Sequence, residues 1–464
     1  MLNVSASAHD LKSERVQTAL ALGVCLVVVL AQTLMPEYRR PVADANGYAR
    51  LAVELAEAWA SPGKSASAAM GFYLNPMYPG FLALLTFVDE SFMAALKCVR
   101  SAEASCDLSG LTLAFLLQGI LAALSTFFVF LATRLLTADL RIAWLTLIIV
   151  LSVKTFADYA PQLLTESLAF FFVMLFTWLL AVILNSRDVR LAPVIWAGAV
   201  LGLATLTRPS YQYLIVFMAP VLFLWFRFGS NAGWRVSFRA GAVFTVAAAA
   251  VLTPWVIRNY LDLGVVTVNS GGARVFVERL PYNLMTWSEW GMSFIYWLPD
   301  FGDNLATILF SKESVRRLSW YHPDSFYMMG RGQFFYDVRA LAAQHADPLG
   351  FMLREYVWGD LFKHLAVTVT LAVRGMWVGN YVSLVGLIML PGCVWILVRQ
   401  QRLVPFLVYC LPPCFMLGLY AFVSVNVVRY NEPLIAVFAL SAATAIVYLA
   451  DFAWTRMRRI RNIE

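Results

Sequence analysis

The sequence predicts an all-α polytopic membrane protein with about ten transmembrane helices and both chain ends on the cytoplasmic side. Three observations predict it. Apolar residues make up 61% of the 464 and charged residues only 14%, with a mean hydropathy of +0.70; a soluble domain carries about 45–50% and about 25%. Apolar runs of bilayer-crossing length, or close to it, recur along the chain. The basic residues of the short connections all fall on one side of the membrane if the N-terminus is inside. Together these features exclude a soluble enzyme, a disordered chain and a secreted disulfide scaffold.

The runs are Val16–Met35, Leu111–Leu136, Ile142–Ala157, Leu168–Leu184, Leu191–Leu206, Leu214–Phe226, Ala240–Val256, Val382–Val398, Leu403–Val423 and Leu434–Ala450. The first is too long for a signal-peptide core and reads as an uncleaved anchor. With Lys12 and Arg15 inside, so are Arg134 and Arg141, Arg187 and Arg190, Arg227, Arg235 and Arg239, Arg399 and Arg402, and the tail Arg456, Arg458, Arg459 and Arg461. The net charge of +7 is therefore chiefly a topology signal, and it calls for a lipid bilayer as partner and no nucleic acid.

Two long segments fall on the extracytoplasmic side, residues 36–110 and about Arg258–Tyr381. The chain accordingly divides into a membrane core with its first external loop (1–258), an external or interfacial segment (259–381) and C-terminal transmembrane helices (382–464). Within the external segments, Tyr78–Val88 and Leu365–Val378 are apolar but short or interrupted, as amphipathic interfacial helices are. Tyr48, Leu51, Ala52, Leu55 and Ala56 recur at helical spacing, and Asn75-Pro-Met-Tyr-Pro-Gly80 is a turn signal before an apolar half-span. No internal repeat of the inverted transporter type is visible.

The scarce charges outside the cytoplasmic loops are the candidates for chemistry. Asp44 stands just before the first external helix, as an N-cap that accepts backbone N–H bonds, as a general base at the membrane surface, or as both. Asp158 and Glu166 flank the next external turn, DYAPQLLTESLAFF. Asp158 reads as a helix N-terminal acid matched to the macrodipole in preference to a functional ionisable group. Glu166, at a span edge, reads either as a helix N-terminal acid with Thr165 as cap or as a functional ionisable group. Arg208 in GLATLTRPS, Arg258 in LTPWVIRNY and Arg429 in VVRYNEP end spans on the outside, against the positive-inside preference. They either snorkel to headgroups or bind a lipid-borne phosphate with their planar forks. Trp255, Tyr260, Trp287 and Trp290 serve as interface anchors or as a sugar platform. Four of the six cysteines, Cys25, Cys393, Cys410 and Cys414, lie in apolar stretches. Cys98 and Cys106 lie in a polar one, as a loop disulfide or as two free thiols.

The order of these motifs resembles the GT-C superfamily of integral-membrane glycosyltransferases, which includes bacterial aminoarabinose transferases and protein O-mannosyltransferases. After the first span comes D-x-x-x-Y-x-x-L-A from Asp44 through Tyr48, then the Pro/Tyr-rich turn with Tyr78. LLTESLAFF, GLATLTRPS and LTPWVIRNY with Asn259 follow, then VNSGGA, and finally VVRYNEP with Tyr430. The resemblance covers the chain to about Ala273 and the last spans; residues 274–381 match no named pattern.

The resemblance implies an inverting enzyme at the extracytoplasmic face of the cell's inner membrane. A sugar passes from a polyprenyl-phosphate donor to an envelope glycan, lipid or protein acceptor. It implies Asp44 as the base and Arg208, Arg258 and Arg429 as donor-phosphate ligands, with Tyr48, Tyr78, Asp158, Glu166, Asn259 and Tyr430 in support. No cofactor is required if guanidinium groups stabilise the leaving phosphate, and a divalent metal is an open alternative. The chain departs from the pattern twice: Ala45 follows Asp44 where many relatives have a second acid, and Asn75 stands near where some carry a lysine. The alternatives are a flippase or transporter of lipid-linked sugars, and an O-antigen-ligase-like or polymerase-like enzyme using a polyprenyl-diphosphate glycan.

Overall fold

The computed structural model describes residues 8–35, 44–61, 74–101, 106–186, 188–269, 272–345 and 347–461. Residues 36–43, at the head of the first external loop, and Arg187 lie outside them. The described residues form helices joined by turns, in two compact units: Met1–Val268 with Gly386–Cys410 and Ile435–Glu464, and Asn269–Val385 with Leu411–Leu434.

In the first unit the helices include α1 (Ala8–Thr33), α2 (Ala45–Ala60), α3 (Met77–Leu85), α4 (Glu90–Ser101), α5 (Thr112–Thr137), α6 (Leu140–Ser152), α7 (Glu166–Asn185), α8 (Leu191–Thr207), α9 (Tyr211–Leu224) and α10 (Trp234–Leu263), with the helix Ile435–Arg461 from the C-terminal segment. Among the described residues eight helical stretches are long and apolar enough to cross a membrane, and α6 and α8 are shorter apolar helices. The protein is thus an all-α, multi-pass membrane protein.

Helix ends follow local chemistry. Asp139 caps α6 by accepting from the Arg141 amide at 2.8 Å. Arg402 donates to the Leu135 and Leu136 carbonyls at 3.1 and 2.8 Å, satisfying two of the acceptors that the end of α5 leaves open. The run Ile142–Ala157, expected as one span, stops at Ser152 instead. Lys154 takes a left-handed φ of 54°, and turns occupy residues 153–165.

Packing of α8 on α10 turns on two glycines at helical i,i+4 spacing. A Cβ at Gly198 would collide with the Phe244 carbonyl, and one at Gly202 would lie 2.9 Å from the Val251 Cβ. Small residues at this spacing let two membrane helices approach to backbone contact. Because Gly198 meets Phe244 and Gly202 meets Val251, the two helices run parallel.

The first external loop folds as α2, α3 and α4. Buried Ala45, Ala49, Ala52 and Ala56 lie on one side of α2, α2 packs against α3 and α4, and Lys97 pairs with Glu57 at 3.4 Å. Cys98 and Cys106 are joined by a disulfide with their Cα atoms 5.7 Å apart, which resolves the two readings of that pair.

The second unit holds short helices: α11 (Gly272–Arg279), α12 (Trp287–Tyr296), α13 (Gly302–Phe310), α14 (Lys312–Val315), α15 (Phe326–Arg331), α16 (Gln333–Ala342), α17 (Pro348–Tyr356) and α18 (Leu361–Gly375). Its core gathers Tyr282, Trp297, Phe326, Val367, Leu371 and Val425. Two arginines are buried in it. Arg279 donates to the Ala421 carbonyl at 2.9 Å, Asn283 Oδ1 at 3.0 Å and the His364 carbonyl at 3.3 Å. Arg374 lies against the faces of Tyr282, Trp297 and Trp320 at 5.1, 4.9 and 4.1 Å. Polar partners and aromatic faces compensate the desolvation that would otherwise make such cations costly.

His364 is fully buried beside them. Its Nε2 lies 3.1 Å from the Phe422 carbonyl, which can only accept, so Nε2 carries the proton and Nδ1 accepts from Asn283 at 3.0 Å. Burial, reinforced by Arg279, lowers its pKa from 6.5 to about 4. The folded state therefore keeps His364 neutral where the unfolded chain protonates it. The contribution is full above pH 6.5 and falls as pH drops through 6.5 toward 4, amounting to about 3 kcal/mol at most. Thermal unfolding of the detergent-solubilised protein between pH 7 and pH 4 checks this, and the slope should flatten in His364→Gln. Equal slopes in both proteins would remove His364 as the titrating group.

Candidate active site

Three of the candidate charges stand at helix ends in the first unit. Asp44 immediately precedes α2, Glu166 opens α7, and Arg208 follows the last residue of α8. Helices α7 and α8 are consecutive in the chain and pack on each other, so the start of one lies beside the end of the other.

Glu166 is 2% exposed, and its Oε1 lies 3.3 Å from Nη2 of Arg208. A carboxylate this deeply buried needs a charge partner, and Arg208 supplies one. The end of α8 is secured by Asn75, whose Nδ2 donates to the Thr205 carbonyl at 2.6 Å, one of the acceptors a helix end leaves open. Thr165 occupies the N-cap position of α7 but makes no side-chain capping bond. Its hydroxyl lies 3.4 Å from Glu166 Oε2 instead.

Tyr48, one turn into α2, joins the charges. Its ring meets Tyr78 edge-on at 5.1 Å. Burial pushes its phenol up to about 12; Glu166 and Asp44 push the same way, while Arg208 and the Thr165 hydroxyl oppose them. Tyr48 therefore stays protonated at neutral pH, a neutral donor among charged groups. Tyr78 is buried and donates to Gln118 Oε1 at 2.8 Å. Gln118 Nε2 in turn donates to the Ala160 and Gln162 carbonyls at 2.7 and 2.9 Å, tying the turns before α7 to α5.

Asp44 is exposed and makes no side-chain capping bond. The capping reading of Asp44 is thus corrected: the residue has the position of a cap, but its helical φ of −70° and ψ of −23° differ from the extended backbone that caps usually adopt. The capping reading of Thr165 is corrected on the same ground, since its hydroxyl is turned to Glu166.

Arg258 lies near the C-terminal end of α10. By the parallel packing of α8 on α10 it follows Val251 by about the two turns or fewer that separate Arg208 from Gly202, so both arginines stand toward the same end of the pair. Arg258 pairs with Asp262 at 3.0 Å, donates to Asn259 Oδ1 at 2.9 Å and stacks over Trp255 at 4.9 Å. Buried Asn259 reaches the Thr267 carbonyl at 2.8 Å. Asp158 is exposed in the turns of residues 153–165, ahead of α7 and not at its N-terminus. Arg429 and Tyr430 belong to the second unit, on a short 3-10 turn, where the Tyr430 ring lies 5.1 Å from Tyr420 and the Arg429 guanidinium 5.3 Å from Tyr430. Among the described residues no group of three or more His, Cys, Asp or Glu is placed to hold a metal ion.

Sequence reasoning left three participants out. Gln118 was legible as a polar residue inside an apolar run, Thr165 was seen only as a cap, and Asp262 stands at the i+4 position from Arg258, where a counter-ion is expected on a helix.

The fold is shared with solved structures of an oligosaccharyltransferase. The chain is similar to the oligosaccharyltransferase of Archaeoglobus fulgidus in its apo form, at a TM-score of 0.54 and 12% identity over 96% of this chain and 52% of that one. It is similar also to the same organism's oligosaccharyltransferase AglB in complex with an inhibitory peptide and a dolichol-phosphate, at a TM-score of 0.53 and 13% identity over 97% and 52%. ArnT from Cupriavidus metallidurans bound to undecaprenyl phosphate matches at a TM-score of 0.39 and 14% identity over 92% and 77%, too low a score to carry weight. At these identities the likeness is one of fold, and the chain spans about half the length of the oligosaccharyltransferase it matches. No protein-family model and no curated protein matches the sequence.

Proposed function

We propose that the protein is an inverting GT-C-type glycosyltransferase that moves a sugar from a polyprenyl-phosphate donor to an acceptor hydroxyl on the extracytoplasmic face of the inner membrane. The observation that carries this reading is the buried Glu166–Arg208 pair, with Tyr48 near enough to feel both its charges and that of exposed Asp44. In the proposed step the acceptor oxygen attacks the anomeric carbon and its proton passes to Asp44. The bond from that carbon to the phosphate oxygen breaks, and polyprenyl phosphate leaves with the electron pair, its charge met by arginine. Arg208 and Arg258 would supply that charge, with Arg429 as a third candidate. A divalent ion would be an alternative source of it.

Two further observations support the reading. Dolichol-phosphate is bound by AglB, which has the same fold. A disulfide in the first loop suits an oxidising compartment, as the extracytoplasmic face would be. The acceptor would be an envelope glycan, lipid or protein. The test is reconstitution in liposomes with undecaprenyl-phosphate-linked sugars and mass spectrometry of the lipid released. A monophosphate released together with a new glycosidic bond is expected. Turnover only of diphosphate-linked glycans would favour a ligase-like enzyme, and sugar crossing the bilayer with no new bond would favour a flippase.

A further inference from the structure

Thr165 is conspicuous for what its side chain does not do. At an N-cap, a threonine hydroxyl accepts from the first backbone amides of the helix, and losing that bond costs about 0.5–2 kcal/mol. Thr165 stands at the N-cap of α7, and its carbonyl accepts the first helical bond from Ala169 at 2.9 Å. Its hydroxyl is nevertheless turned away, to Glu166 Oε2 at 3.4 Å. A threonine hydroxyl has one proton. That proton goes to the carboxylate, which can only accept: Thr165 donates to Glu166 Oε2, and Arg208 donates to Oε1 of the same carboxylate at 3.3 Å. Thr165 is 5% and Glu166 2% exposed, so water competes little for these bonds and their direction is well defined.

We infer that Thr165 is a positioning residue for donor binding: through Glu166 it fixes the Arg208 guanidinium in the orientation that meets the phosphate of a polyprenyl-phosphate lipid. The inference rests on the reading of Arg208 as a phosphate ligand. It accounts for a hydroxyl diverted from helix capping.

The experiment measures binding of undecaprenyl phosphate to the full-length protein in nanodiscs, together with the thermal midpoint. Thr165→Val keeps the shape and removes the hydrogen bond to Glu166. It should weaken binding about tenfold, the value of one hydrogen bond to a charged group, with little change in midpoint because no cap is lost. Thr165→Ser should restore affinity to within about twofold. If Thr165→Val lowers the midpoint by several degrees and leaves affinity unchanged, Thr165 is only a structural residue and the inference falls. If the wild-type protein binds neither undecaprenyl phosphate nor dolichyl phosphate, the donor reading itself falls and takes this inference with it.

Discussion

Asp44→Asn is expected to lower glycosyl transfer by about 10²–10⁴-fold, the range for loss of a positioned general base, while the protein inserts and unfolds as the wild type does. The structure explains why the two readouts should separate. Asp44 is exposed and makes no side-chain cap, so the amide replaces a carboxylate that contributes little to the start of α2. Its charge reaches Tyr48, and removing it should affect the site more than the fold. Turnover by radiolabelled sugar transfer and the thermal midpoint should be measured on the same preparation. Transfer within about threefold of wild type would dismiss Asp44 as the base. A drop in midpoint matching the activity loss would make the residue structural.

The second large effect concerns the Glu166–Arg208 pair. Arg208→Leu leaves a carboxylate that is 2% exposed without the cation 3.3 Å away. Removing one member of a buried pair is destabilising by about 3–5 kcal/mol, because the other is left uncompensated. Glu166→Gln alone strands a less buried cation, with a side chain 14% exposed, and should be milder. The double variant should recover much of the stability lost in Arg208→Leu, and donor binding should stay lost in it. Equilibrium unfolding in denaturant separates these outcomes. An Arg208→Leu protein as stable as wild type would show that the pair does not hold the fold.

What the sequence made legible follows from the kind of signal each feature leaves. Spans announce themselves through apolar runs, and the side on which Glu166 and Arg208 emerge follows from counting them. Their contact was not legible, because it depends on how α7 and α8 pack. The end of α6 was misjudged because a single lysine does not by itself stop an apolar run, whereas the left-handed backbone at Lys154 is a conformational choice that hydropathy does not register. Gly198 and Gly202 were visible as letters, but their meaning appears only with Phe244 and Val251 opposite them. Thr165 was misread for the converse reason: the local pattern specified a cap, and the Glu166 carboxylate, paired with Arg208, diverted it. The buried cluster of Arg279, His364 and Arg374 left no sequence signal, since its hydrogen bonds go largely to backbone carbonyls.

The early end of α6 has a consequence for depth. A helix of 13 residues rises about 20 Å, against a hydrocarbon core of about 30 Å. The remaining thickness beside it falls to the turns of residues 153–165, whose backbone cannot face lipid unsatisfied. Gln118 meets two of those carbonyls from within α5. Glu166, at the end of the turns, opens the 20-residue α7, which itself rises about 30 Å and so reaches the edge of the hydrocarbon. On the proposed function, a lipid phosphate would reach Arg208 by moving sideways along the membrane while its hydrocarbon tail stayed in the bilayer.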